Sequence, residues 1–445
     1  MLWDARFLSE VLGVPGPGEG KFPHISTDTR ALVAGDLFVA LKGERFDAHD
    51  FLAEARARGA GAAVVRRGTA PVPGLPYFEV ADPLAALGAL GRARRRAFAP
   101  GTPVVAITGS SGKTSTKELV AAALAPRYRV HATAANLNNE VGVPLTLLAA
   151  PDDAQALVIE AGASVPGEIA RLRAVIEPTI AVITTVGFAH VAGFGSLAGV
   201  LHEKLSLLDG VPLAVVGTDP PELGREARRR TRTIVAGTTP AAELRADSVR
   251  LDEDGRCVLR WRGREVTLPL FGLHQGDNAM LALAVAREAG VEAEAALAAL
   301  ASVAVPGGRG RVSRQGDLTI IDDTYNANPG SLARAMESAV QLARARGRPL
   351  AVVVGTMLEL GPESARLHAA AAADIVRCEP QLVGAVGEFA AAFAPYRTRL
   401  GERLLVAENA AALGPRLRDA LRGNEVVLLK ASRGVALEQV LPHLS

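Results

Sequence analysis

Val104-Val-Ala-Ile-Thr-Gly-Ser-Ser-Gly-Lys-Thr-Ser115 decides how the rest of the chain is read. An apolar β run, 104–107, feeds a glycine turn, and Lys113, Thr114 and a helix-forming stretch follow at once. Glycines let backbone N–H groups turn inward, and a helix start presents its positive end, so this order predicts a phosphate cradle. Lys113 is placed to reach the β/γ-phosphates of a nucleotide and the Thr114 hydroxyl to hold Mg²⁺. Gly109, Ser110, Ser111, Gly112 and Ser115 complete the loop. The spacing is shortened, because Ile107 stands where a full P-loop has its first glycine.

The rest of the composition narrows the setting. At 445 residues the chain exceeds one ordinary core, so two or three domains are expected. A hydrophobic content of 49% with 22% charged residues is that of a globular protein, and a net charge of +2 gives no bulk drive toward nucleic acid. The runs Arg94-Arg95-Arg96 and Arg228-Arg229-Arg230 read as solvated helix faces. Cys257 and Cys378 form no C-x-x-C pair, so neither a zinc framework nor a disulfide scaffold is implied, and both read as small core residues in a reducing cytoplasm. Asp4, Arg6 and Glu10 break any signal-peptide core, and no apolar run reaches the roughly 18 residues a membrane span needs, so a cytoplasmic protein without membrane insertion is expected. Only six lysines stand against 43 arginines. In a chain that writes its cations as arginine, the lysines that remain mark places where an ammonium or amine is needed, and Lys42, Lys113, Lys204 and Lys430 become suspects.

Organisation follows the hydrophobic rhythm. Residues 1–98 read as a small α/β domain, with strands at 37–41 and 62–65 and a helix at 51–60. Ala99-Pro-Gly-Thr-Pro103 is a turn-rich boundary. In 99–307, strands at 104–107, 156–159, 180–183 and 213–216 alternate with Ala/Leu-rich helical stretches, which predicts βαβ units and a doubly wound, mostly parallel sheet of P-loop type. Within it, 246–272 reads as an antiparallel flap, a hairpin over 250–260 followed by a turn at 261–265. Pro306-Gly-Gly-Arg-Gly310 is the second boundary, and in 308–445 the βα rhythm returns, with strands near 318–321, 350–354, 382–386 and 426–429. The expected fold is three α/β domains, the last of them Rossmann-like.

A phosphate cradle alone fits a motor, a switch GTPase, a kinase or a ligase. Glu160 ends a buried strand, on the side where open α/β sheets bind ligands, and reads either as a Mg²⁺ ligand opposite Thr114 or as a strand-end surface carboxylate. His190 follows the next strand and is a candidate second metal ligand or an ordinary loop histidine. Asn136-Leu-Asn-Asn139 is an amide-dense loop or a cluster of Asx turns.

Taken in order, these pieces resemble the Mur ligase family across the whole chain, and within it the branch that adds D-alanyl-D-alanine. Ser26-Thr-Asp-Thr-Arg30 and Gly35–His49 are similar to the family's UDP-sugar-binding segment. Thr108–Ser115 has its shortened ATP loop. Asn136–Asn139, Ile159-Glu160, Ala189-His190 and Gly272-Leu-His-Gln-Gly-Asp-Asn278 fall in the family's order. Asp322-Asp-Thr-Tyr-Asn-Ala-Asn-Pro329 and Leu429-Lys-Ala-Ser-Arg433 resemble the dipeptide-adding branch. The resemblance implies ATP, two Mg²⁺ ions, and UDP-N-acetylmuramoyl-tripeptide and D-alanyl-D-alanine as substrates of a monomeric enzyme. It implies metal contacts from Thr114, Glu160, His190 and Lys204, the last of these carbamylated. His274, Asn278, Asp323 and Tyr325 would meet the nucleotide, and Arg309 the γ-phosphate when the third domain closes. Thr29, Arg30 and Lys42 would meet UDP. Asn136, Asn138, Asn139, Asn326, Lys430, Ser432 and Arg433 would meet the other substrate parts. The sequence departs from the branch at Thr356, Ala431 and Ala192, where an aspartate, a glycine and an acidic residue are usual. Rival readings are an amino-acid-adding Mur ligase, folylpolyglutamate synthase, which lacks a UDP-sugar domain, and a P-loop switch, which leaves 322–329 unexplained.

Overall fold

A computed structural model describes residues 3–43, 46–305 and 307–444. Glu44 and Arg45 of the expected UDP-sugar segment, Pro306 of the second boundary, and the end residues 1, 2 and 445 lie outside the described residues. The chain packs as two compact units: 3–106 with 129–162 and 168–179, and 107–128 with 163–167 and 180–444.

The first unit opens with a short antiparallel ladder, β1 (Trp3–Asp4) on β2 (Lys21–Phe22). A four-stranded parallel sheet follows: β3 (Ile25–Ser26), β4 (Leu37–Val39), β5 (Ala62–Arg66) and β6 (Tyr77–Val80), paired in that order. Alternation along β5 explains its layering. Ala62 and Val64 pack with Leu8 and Leu87, while Ala63 and Val65 pack on the opposite face with Leu52 and Ala55. The helix expected over 51–60 is shorter, Leu52–Ala57. Within the arginine run 94–96 only Arg96 is solvent-exposed. Arg94 is buried, stacks 4.6 Å from the Phe98 ring, and donates to the Ala150 carbonyl at 2.5 Å, and Arg95 donates to the carbonyls of Ile176 and Glu177. These two guanidinium groups satisfy carbonyls at helix C-terminal ends rather than water.

β7 (Val104–Thr108), β8 (Val130–Ala132), β9 (Ala156–Glu160), β10 (Ile180–Ile183), β11 (Leu213–Val216), β12 (Arg232–Gly237) and β13 (Leu244–Arg245) form one sheet, ordered β13-β12-β11-β10-β7-β9-β8. The ladders β8–β9, β10–β11, β11–β12 and β12–β13 are parallel. The expected runs 104–107 and 156–159 each extend by a residue, so Thr108 and Glu160 are both strand residues, while 180–183 and 213–216 stand as expected. Helix Gln275–Glu288 is buried along nearly its whole length, against helix Lys113–Leu124.

In the second unit the expected flap is a three-stranded antiparallel sheet, β14 (Ser248–Leu251), β15 (Arg256–Trp261) and β16 (Arg264–Phe271). Cys257 is buried there, and burial pushes its thiol up to about 12, which removes it from nucleophilic chemistry. Cys378 is only half-buried, because it sits at the exposed end of helix Ser364–Arg377.

The last sheet holds β17 (Arg311–Gln315), β18 (Leu318–Asp323), β19 (Leu350–Val354), β20 (Leu382–Val386), β21 (Leu404–Ala407) and β22 (Val426–Lys430), in the order β17-β18-β22-β19-β20-β21. All its ladders are parallel except β17–β18. Along β19, Val352 and Val354 face helices Pro329–Arg346 and Ser364–Arg377, while Ala351 and Val353 face helix Ala410–Ala420. Both faces are therefore covered, and each fully buried valine or leucine contributes about 1.5–3 kcal/mol. No helix of the described residues is long and apolar enough to cross a membrane.

Candidate active site

In the second unit, the loop after β7 is shaped by what surrounds its glycines. Gly109 has φ 150°, and a Cβ there would lie 1.9 Å from Thr184 Oγ1; Gly112 has φ 81°, and a Cβ would lie 2.7 Å from Asn278 Oδ1. The end of β10 holds one side of the loop. Ser110 N–H donates to Thr185 O at 2.8 Å, Ser110 Oγ to Gly187 O at 3.0 Å, and Thr184 Oγ1 to Ser111 O at 2.5 Å. Lys113 Nζ folds back and donates to Gly109 O at 2.8 Å, so the ammonium lies across the loop. Thr114 and Ser115 are buried at the start of helix Lys113–Leu124.

The other side of the loop is held from helix Pro329–Arg346. Asn328 Nδ2 donates to Ser110 O at 3.2 Å and to Ser111 Oγ at 3.0 Å, while Asn328 Oδ1 caps the helix by accepting from Ser331 N at 2.8 Å. Sequence reading passed over Asn328, although Asn-Pro-x-Ser before an apolar run is a helix-start signal. The turn before it gathers several expected site residues. Arg309 Cζ lies over the Tyr325 ring, 3.7 Å from its centroid, with Arg433 at 5.9 Å. Among the described residues Arg309 has no carboxylate partner, and its Nε is buried without a hydrogen bond. Lys430, expected to meet the acceptor, is buried, ion-paired with Asp323, and donates to Asn326 O at 3.0 Å. Ser432 Oγ donates to Ala327 O at 3.3 Å and accepts from Leu358 N–H at 2.9 Å.

Asn278 is buried against Gly112, its amide donating to Gln275 Oε1 at 2.9 Å. Burial pulls the His274 imidazole down to about 4, against the opposing pull of Asp323 and helped by Arg334 and Lys430. His274 is therefore neutral at pH 7 and offers a hydrogen bond rather than a charge. His190 Nδ1 lies 2.5 Å from Glu359 Oε2. Lys204 is 1% exposed, with its ammonium 5.6 Å from the Phe194 ring, so it is not a surface lysine. Its neighbour Glu203 is buried and accepts from Gly167 N–H at 2.8 Å.

The first unit carries the remaining expected residues. Glu160 is 2% exposed, its N–H donates to Thr133 Oγ1 at 2.9 Å, and its Oε1 accepts from Asn138 Nδ2 at 2.8 Å. A buried carboxylate aimed by an amide is a built feature, and it excludes the strand-end surface reading. Asn139 instead forms an Asx turn, its Oδ1 accepting from Val141 and Gly142 N–H. Asn136 is exposed. Thr29 Oγ1 donates to Glu54 at 3.2 Å, Arg30 forks onto Asp28 and holds that carboxyl at about 2, and Lys42 lies 3.7 Å from Asp47. Among the described residues, no three His, Cys, Asp or Glu side chains cluster as a ready metal cage.

Comparison with known proteins fits this geometry. Residues 21–138 match the sequence profile of the Mur ligase family catalytic domain, 107–286 that of the Mur ligase middle domain, and 308–433 that of the Mur ligase glutamate ligase domain. The chain is 38% identical over 438 residues to the UDP-N-acetylmuramoyl-tripeptide–D-alanyl-D-alanine ligase of Escherichia coli, covering 94% of this chain and 93% of that protein. It is 34% identical over 452 residues to the Bacillus subtilis enzyme of the same name, covering 99% and 97%. A crystal structure of MurF from Acinetobacter baumannii superposes with a TM-score of 0.89 at 31% identity, covering 100% of this chain and 99% of that one. A Thermotoga maritima MurF ligase in complex with ADP gives 0.83 at 29%, covering 95% and 96%. Profiles spanning most of the sequence and relatives matched nearly end to end agree, and the chain belongs to the Mur ligase family.

Proposed function

We propose that this Mur ligase joins D-alanyl-D-alanine to UDP-N-acetylmuramoyl-tripeptide at the expense of ATP, in peptidoglycan precursor synthesis. One observation carries the reading beyond a plain nucleotide switch. The turn 325–328, with Arg309 stacked on Tyr325, is bonded through Asn328 to the phosphate loop. A cation without a carboxylate partner therefore belongs to the segment that grips the triphosphate loop.

The tripeptide carboxylate attacks the γ-phosphorus, ADP leaves, and an acyl phosphate forms. The amine of D-alanyl-D-alanine then attacks the acyl carbon, loses a proton, and expels phosphate. Two anions meet in the first step, so Lys113 and Arg309 stabilise the charge that accumulates between them. Closing 308–445 over 99–307 keeps water from the acyl phosphate. Asn278 and neutral His274 orient the nucleotide base and ribose, with Asp323 and Tyr325 on its other side. Thr29, Arg30 and Lys42 of 1–98 hold the UDP end, and Asn136, Asn138 and Asn139 the adjoining sugar and peptide. Asn326, Lys430, Ser432 and Arg433 shape the acceptor side.

The donor chemistry fits Mg²⁺: a threonine hydroxyl, a buried carboxylate fixed by Asn138, a histidine, and a lysine removed from bulk water. Thr114, Glu160, His190 and Lys204 would hold two ions, which supply positive charge to the triphosphate and the developing oxyanion. Lys204 is buried, and carbamylation uses the neutral form of its amine. Addition of that amine to CO₂ forms an N–C bond, releases a proton, and leaves a carbamate oxygen pair suited to a hard cation. We read the enzyme as a cytoplasmic monomer, which size-exclusion chromatography and cell fractionation test directly.

The decisive assay is phosphate release from ATP with UDP-N-acetylmuramoyl-tripeptide and each of D-alanyl-D-alanine, diaminopimelate and glutamate. D-alanyl-D-alanine should be the strongly preferred acceptor, Thr356 and Ala431 notwithstanding. Preference for diaminopimelate would leave only the ligase class, and acceptor-independent release would point to a switch.

A further inference from the structure

We propose that Asn328 is a positioning residue through which the acceptor-side strand end governs the phosphate loop; this rests on the ligase reading above. Its amide serves two tasks, and besides the bonds below Oδ1 lies 3.3 Å from Ser111 Oγ. Oδ1 caps helix Pro329–Arg346 through Ser331 N–H at 2.8 Å, and the Ser331 hydroxyl returns a bond to the Asn328 backbone. Nδ2 spends its two protons on Ser110 O and Ser111 Oγ, at 3.2 and 3.0 Å. The residue is 8% exposed, so these bonds form away from bulk water. It joins a loop 217 residues earlier in the chain to a helix of the 308–433 segment.

The turn that carries Asn328 is itself held from the end of β22. Lys430, anchored on Asp323, donates to Asn326 O, and Ser432 donates to Ala327 O while receiving Leu358 N–H. A continuous chain of bonds thus runs from Leu358 and Lys430, through the 326–328 backbone, into Ser110 and Ser111. The end of β10 and Asn328 both grip the loop. The first is local to the loop's own sheet. The second reports whether the acceptor-side segment is seated. Lys430 and Ser432 therefore act on the nucleotide through Asn328, in addition to any contact with the incoming dipeptide.

Asn328→Asp separates the two tasks. Aspartate is as good a helix cap as asparagine, but it sets a carboxylate oxygen against Ser110 O where an N–H donor stood. The melting temperature should move by no more than about 3 °C, and the Kd for MgADP by no more than about 3-fold, while kcat falls at least about 10-fold. Hydrogen exchange supplies a readout that needs no acceptor. MgADP should slow exchange at both 109–113 and 325–332 in the parent enzyme, and only at 109–113 in Asn328→Asp. Asn328→Ala should lose the same coupling and melt lower, and Ser111→Ala should lose part of it. Unchanged kcat in a stably folded Asn328→Asp, or protection of 325–332 that survives in it, overturns the proposal. A kcat/KM loss explained wholly by weaker MgADP binding also overturns it. Absence of D-alanyl-D-alanine-dependent turnover in the parent enzyme would refute the substrate reading instead, and the exchange experiment would still decide the role of Asn328.

Discussion

His190 Nδ1 and Glu359 Oε2 are 2.5 Å apart, and Ala192 N–H donates to the Glu359 carbonyl at 3.2 Å. Both residues have positive φ, 54° and 66°, a conformation that costs side-chain-bearing residues about 1 kcal/mol or more and persists when neighbours enforce it. The His190 imidazole beside it holds the Glu359 carboxyl below the usual glutamate range, and Lys113 adds to the effect. Glu359 therefore fixes the ring orientation of the histidine proposed to meet metal. Glu359→Ala should weaken the apparent Mg²⁺ affinity in the ligation assay by about 10- to 100-fold. A Mg²⁺ titration of initial rates superimposable on that of the parent enzyme would remove Glu359 from this role.

Lys113→Ala should be folded and nearly inactive, with turnover reduced by roughly 10²–10³. Loss of the bond to Gly109 O should cost only about 1 kcal/mol of stability. Lys113→Arg should also fail, because a planar fork cannot occupy a loop site shaped for a point ammonium. Near-normal phosphate release from either variant contradicts the assignment.

Arg309→Ala should lower kcat more than it weakens ATP binding, because the contact of this residue with the transferring phosphoryl group strengthens as charge develops. Steady-state kinetics with ATP varied gives the split. An increase in KM with unchanged kcat would mark Arg309 as a simple binding residue.

Lys204→Ala should be almost inactive and partly restored by short carboxylic acids, which refill the place of the carbamate. ¹³C NMR after equilibration with labelled bicarbonate should show a carbamate signal in the parent enzyme and none in Lys204→Ala. Full activity of Lys204→Arg, which cannot form the adduct, would dispose of the carbamate.

His274 predicts a pH effect on stability. Its imidazole titrates at about 4 in the folded chain, against 6.5 ordinarily. The unfolded state therefore binds a proton that the folded state refuses. The stability associated with the neutral ring is fully present above pH 6.5, declines between 6.5 and 4, and declines no further below 4. His274→Gln should flatten the melting-temperature profile in that window. Parallel profiles for the two proteins would show that the ring is not protected from protonation.

What could be read in advance was local. The strand, glycine turn, Lys113, Thr114 and helix lie within a dozen positions, so their geometry follows from adjacent chemistry. The antiparallel flap was legible from the turn at Asp252–Gly255, and β9, β10 and β11 from their apolar runs. β1, β2, β3, β6, β8, β12, β13, β17 and β21 escaped, most of them two to four residues long or at a sheet edge. Among candidate residues, Lys204 stood out because lysine is rare here, and its burial agrees with that signal. Asn328 and Glu359 did not stand out, since their significance lies in partners distant in the chain. Asn139 looked like its neighbours Asn136 and Asn138, and only its backbone partners reveal a turn former.

The position of β22 has a consequence for biosynthesis. It is the last strand of its sheet to be translated, yet it lies between β18 and β19. Until it emerges from the ribosome, the earlier strands have an open slot where their central ladder belongs, and Asp323 and the 326–327 carbonyls lack Lys430 and Ser432. A nascent chain thus carries a finished phosphate loop well before it has the strand that makes the loop useful. Ribosome-bound enzyme would bind nucleotide without committing it to synthesis, and competence would arrive with residues 426–432.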